Sequence, residues 1–180
     1  MRPSIDTIKG FLHENDLHFM HVPEHDALIL DFRLSEVHCK VFIRDLGNFV
    51  IVDIKLPCMV PAHRRHHVAE LATRINFGNR WGRIDLDWSD GEVQVHSAIP
   101  TIAPLQCEQT FQQVFNGCLG LAHHYFATIM AVAYGETAAA TAYAKLDQNN
   151  GASDEPQKAS DEETEPHDTR MEVRAPNTVH

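Results

Sequence analysis

Long apolar runs are missing from this chain of 180 residues, and nothing in it approaches the roughly 18 consecutive apolar residues of a membrane-spanning helix. The N-terminal MRPSIDTIKGFLHEND is polar and lacks the apolar core of a secretory signal, so a cytoplasmic location is expected. Cysteine is scarce: four scattered residues are too few for a disulfide framework. Basic charge is short too. Lys+Arg is 15 against Asp+Glu 25, a formal charge of −10, which argues against nucleic acid as a partner because phosphate recognition rests on clustered positive charge. A glycine-rich phosphate loop, a G-x-S-x-G elbow and an H-E-x-x-H helix are all absent, so nucleotide-binding and hydrolytic readings have no foothold. What is present, 43% hydrophobic and 22% charged residues, is an ordinary globular composition that excludes wholesale disorder. No motif names a reaction, so the chain is read as a non-enzyme.

The charge is unevenly spread. Residues 1–145 hold 12 basic and 16 acidic side chains, whereas residues 146–180 hold 3 and 9. The latter stretch has no aromatic residue and cannot bury enough apolar surface to offset its ordering entropy, so it is expected to be a disordered acidic tail. An Ala-rich segment from Glu136 to Leu146 precedes it and reads as a frayed helical extension. The division is therefore a folded domain over 1–135, then an extension and tail over 136–180.

Periodicity orders the elements. Ile5, Ile8, Phe11 and Leu12 predict a short amphipathic helix ending near Asn15. Leu28-Leu30-Phe32-Leu34 and Val37-Cys39-Val41-Ile43 alternate with a period of two, and the apolar run from Phe49 to Ile54 follows the turn Leu46-Gly47-Asn48; together they predict an antiparallel meander. Pro57 and Pro61 close the third strand, and Pro61 opens a helix whose apolar stripe is Val68, Leu71, Ala72 and Ile75. Ile84, Leu86 and Trp88, then Val93, Val95 and Ile99, predict a hairpin turning at Asp90-Gly91. A long helix follows Pro104, with a stripe running from Phe111 to Ile129. The order is α-β-β-β-α-β-β-α: an α+β domain with helices covering one side of an antiparallel sheet.

That order, the Val60-Pro61 opening the second helix, the Arg74-Ile75-Asn76 closing it, and Gly82-Arg83-Ile84-Asp85-Leu86-Asp87 followed by Asp90-Gly91-Glu92-Val93 resemble the YbjN family over about residues 3–130. The resemblance implies a type III secretion chaperone-like fold. It also implies a role like that of the family's bacterial members, described as sensory-transduction regulators without established catalytic residues. A small interaction or chaperone-like domain, acting as a homodimer with an unidentified protein partner and no cofactor, is the function it suggests.

Several clusters invite chemistry. His63, His66 and His67, with Glu70 one turn on, stand at helical spacing, and His63, His66 and Glu70 fall on the side away from the apolar stripe. Imidazoles at i and i+4 can hold zinc or nickel, so a metal- or small-ligand-responsive sensor is the alternative function. A solvated polar face explains the same residues without a metal. The adjacent His123 and His124 point about 100° apart and cannot chelate one ion together. Asp85 to Gly91 lacks the calcium-loop register, its Gly91 arriving one place late, and reads as a charged hairpin tip. Cys39 and Cys118 read as buried, while Cys58, beside Pro57, is expected to be an exposed loop thiol. On the last helix Gly117, Gly120, His124, Ala127, Thr128, Ala131 and Gly135 lie opposite the apolar stripe. A glycine inside a helix costs about 1 kcal/mol against alanine, so these small residues are expected to form the face on which two subunits pack; a bend in the helix or neutral surface drift explains the same glycines equally well.

Overall fold

Alternating apolar residues build one six-stranded antiparallel sheet in the computed structural model, which describes residues 5–34, 37–101 and 107–151. In chain order α1 (Ile5–Glu14) leads to β1 (Met20–Val22), β2 (Ala27–Leu34), β3 (Val37–Asp45) and β4 (Phe49–Met59). Then come α2 (Arg65–Gly78), β5 (Arg83–Leu86), β6 (Glu92–Pro100), the long α3 (Cys107–Tyr134) and α4 (Ala139–Gly151). The strands lie in the order β1-β2-β3-β4-β6-β5. The expected α+β class, meander, hairpin and two later helices are all present.

One face of the sheet makes the core. Leu28, Leu30, Val41, Ile43, Val52, Ile54, Val93 and Val95 alternate along their strands and are each at most 1% exposed. α3 lies over β2, β4 and β6, and α2 over β5. Phe11 of α1 meets Phe111 of α3 edge to face, with ring centroids 5.4 Å apart.

Five features differ from the expectation. β1 was not legible, because its three residues carry no alternation; it pairs Met20–Val22 with Ala27–Ile29 across a tight 3₁₀ turn. Pro57 does not end the third strand: β4 runs on to Met59, with a register shift against β6 between Lys55 and Met59, the irregular setting in which a strand tolerates proline. Cys58 is consequently buried at 6% exposure rather than presented in a loop. Trp88 falls beyond β5, in the hairpin turn, and is 57% exposed instead of sharing the face of Ile84 and Leu86. Finally, the Ala-rich extension is a helix packed on α2 and α3, with Ala139 and Ala142 buried, so the folded body continues past residue 135. The acidic tail from residue 152 onward lies outside the described residues.

The motif residues prove architectural. The Asn76 amide donates to the Ile84 carbonyl at 2.9 Å and accepts from the Ile84 N–H at 2.8 Å, clamping the end of α2 to β5. Gly91 has φ +91°, and a Cβ there would stand 2.2 Å from the Val60 carbonyl oxygen. Only glycine fits this crossing. Arg64, beside Pro61, donates to the Val132 carbonyl at 2.9 and 2.7 Å and to that of Thr137 at 3.0 Å, holding the end of α3. Arg65 donates to the Val60 and Trp88 carbonyls. The Arg64-Arg65 pair is thus occupied by main chain and does not form a free basic patch.

Candidate functional site

The second face of the sheet has no described helix on it. The register places Asp31, Lys40, Lys55, Gln94 and Asp85 in one row across β2, β3, β4, β6 and β5, and Ile29, Phe42, Asp53, His96 and Arg83 in the next. A third row carries Ala27, Arg44, Ile51 and Ala98.

Asp53 is the unusual member. It interrupts the most apolar run of the chain, in central strand β4, and is only 4% exposed although it points away from the core. A buried carboxylate needs partners, and both of its oxygens have one. Arg44 Nη2 donates to Oδ2 at 2.7 Å, and His96 Nδ1 lies 2.7 Å from Oδ1. The carboxylate thereby fixes the orientation of the imidazole, with Nε2 at the opposite corner of the ring. Phe42, Arg44, Asp53, Lys55, Gln94 and His96 line a shallow hollow of about 440 Å³. A second hollow of about 390 Å³ adjoins it, sharing Lys55 and Gln94 and bounded by Asp85, Leu86, Asp87, Trp88 and Glu92. Lys55 is ion-paired with Glu92 across the strands.

The carboxylates of the second hollow are committed to local structure. Asp87 accepts from the Ser89 N–H at 2.7 Å and hydroxyl at 2.6 Å, which holds its acid below the usual carboxylate range. Asp85 accepts from Arg83, and Asp90 from the Glu92 N–H. These bonds tie the hairpin and leave no calcium-type arrangement.

The structure brings together only part of the histidine cluster. His63 belongs to a 3₁₀ turn (Ala62–Arg64) preceding α2, while the rings of His66 and His67 on α2 have centroids 4.5 Å apart. Glu70 is engaged by Arg74 at 2.8 Å. Among the described residues no three His, Cys, Asp or Glu side chains are grouped as a metal would require. The small-residue face of α3 divides. Gly117 is covered within the same chain, since a Cβ there would come 2.6 Å from the Trp81 Cβ, so its glycine is explained without a second subunit. Gly120 has open space above it, and His124, Ala127 and Ala131 are exposed. The thiols of Cys58 and Cys118 are pushed up to about 11 by burial, and that of Cys39 is raised for the same reason. They are inert packing groups and not nucleophiles.

The Arg44–Asp53–His96 network went unnoticed in the sequence because its members lie 9 and 43 positions apart. The available signal was a single Asp inside a central apolar strand.

The family model YbjN, "Putative bacterial sensory transduction regulator", matches residues 4–125. The chain is similar to the crystal structure of "YbjN, a putative transcription regulator from E. coli", with a TM-score of 0.51 and 16% identity, over 69% of this chain and 92% of that one. At that identity the likeness shows a shared fold. None of the curated proteins compared with the chain matches it.

Proposed function

The chain belongs to the YbjN family, and from that premise we propose that it is a non-enzymatic regulatory domain that binds a protein partner on the open face of its sheet. The observation carrying this reading is the open face itself: two adjoining hollows over a polar network, with no described helix to cover them. An uncovered sheet face that carries a fully hydrogen-bonded buried carboxylate is organised beyond what a solvated surface needs. The description of the family as a regulator favours recognition over chemistry at this face. No described helix is long and apolar enough to cross a membrane.

In this reading the domain acts as a homodimer through the exposed part of α3, around Gly120, His124, Ala127 and Ala131, which leaves the sheet free. The test is lysine cross-linking in the source cells, followed by mass spectrometry. The expected result is a partner protein joined through Lys40 or Lys55 and lost in the Phe42→Asp variant, whose circular dichroism is unchanged. A partner retained undiminished by that variant, or joined only through the helical side, overturns the proposal.

A further inference from the structure

We propose that the open face receives an acidic peptide segment of the partner, its carboxylates held by Lys40, Arg44 and Lys55. This rests on the preceding assignment of the face as an interaction surface and names the chemistry it would recognise.

Three observations carry it. First, the larger hollow holds a charged donor with capacity to spare beside a carboxylate that has none. Both oxygens of Asp53 are engaged, whereas Arg44 spends only Nη2 on the carboxylate and its side chain is 46% exposed. A site whose buried carboxylate is occupied and whose guanidinium is not favours an acceptor-rich group.

Second, Lys40 and Lys55 stand directly opposite each other on β3 and β4. Like charges in registered pairs repel, and the pair persists on the open face of a chain of formal charge −10. Lys55 has Glu92 as partner, while Lys40, with Asp31 opposite it on β2, makes no ion pair among the described residues. An incoming carboxylate between the two ammonium groups would relieve the repulsion.

Third, the charge is banded. Lys40, Arg44 and Lys55 occupy β3 and β4, with Asp31 on β2 to one side and Asp85, Asp87 and Glu92 edging the β5 side of the second hollow. An acidic segment is drawn to the first pair of strands and repelled from the hairpin, which favours a path along the strands over one across them.

The experiment is amide-resolved NMR titration of the full chain, at low salt, with three probes: a short glutamate-rich peptide, a lysine-rich peptide of equal length, and a single-stranded oligonucleotide. The glutamate-rich peptide should shift amides in residues 38–44, 53–55 and 94–96. Lys40→Glu and Arg44→Glu should each weaken its binding about tenfold or more, and Lys40→Gln by less, with added salt weakening it throughout. Unmoved amides, or unchanged affinity in these exposed-site variants, would sink the inference. Preferential binding of the lysine-rich peptide on the same amides would overturn the acidic chemistry yet keep the face as the interaction surface. Tighter binding of the oligonucleotide would replace a protein partner by a nucleic acid, and both assignments would then fall.

Discussion

At the scale of single residues, charge and burial decide the roles. Asp53 neutralises two donors while sitting out of solvent, so its removal leaves Arg44 and His96 facing each other unpaired. Asp53→Ala is expected to lower the stability to urea by about 1–3 kcal/mol, the cost of orphaning polar partners, and Asp53→Asn by less, because the amide keeps one acceptor. Equal stability of the alanine variant and the native protein would show the network to be incidental. The thiols give a pH signature. Cys58 and Cys118 are held near 11 in the folded chain and return to about 9.0 when it unfolds. An acid whose folded pKa is raised contributes stability below its unfolded pKa and loses it as pH climbs through the folded value. Thermal stability should therefore fall across about pH 9 to 11, and this part of the fall should disappear when both cysteines are replaced by alanine. At pH 8 a thiol reagent should label neither residue until denaturant is added.

At the scale of elements, the long helix and the hairpin are held by fit. Gly117→Val forces the Trp81 side chain off α3 at its Cβ, where it cannot swing away, so a loss of about 1–3 kcal/mol and a red-shifted tryptophan emission are expected. Gly120→Leu meets open space in the single chain, should leave stability almost unchanged, and should alter only the subunit count by light scattering. Unaltered mass would remove α3 as the contact between subunits. The contrast also marks what the sequence can tell. Leu28, Leu30, Val41 and Ile43 announced their strands because alternation with burial on one face is a local property. Gly117 and Gly120 look alike in the sequence, three apart on one helix, and only Trp81, placed 36 residues earlier, separates them. Pro57 misled for a related reason. Its usual meaning is the end of a strand, and the bulge that accommodates it is set by pairing with β6, some 35 residues on. The open-face network was illegible because each member is an unremarkable polar residue until the register of β3, β4 and β6 aligns them.

At the scale of the whole molecule, the strand order has a consequence in time. β2, β3 and β4 pair with chain neighbours, from Leu34 against Val37 to Asp45 against Val50, so their loops close with little entropy lost. β6 must come back to β4 across some 40 to 50 residues, as Val50 meets Ile99 and Ile54 meets Val95, with α2 and β5 formed between them. Local pairing of this kind precedes long-range pairing in the folding of small domains. The three-strand meander is expected to be structured at the rate-limiting step, with α4, whose Ala142 is buried late in the chain, added afterwards. Stopped-flow measurements should then find that Val41→Ala mainly slows folding and that Ala142→Gly mainly speeds unfolding. The reverse pattern would place the nucleus among the helices. On the expected route the Lys40–Lys55 pair is brought together early, before Glu92 on β6 arrives to offset it. In the nascent meander only Asp31, opposite Lys40 on β2, offsets the repulsion, and added salt, by screening it, should quicken folding more than it raises final stability.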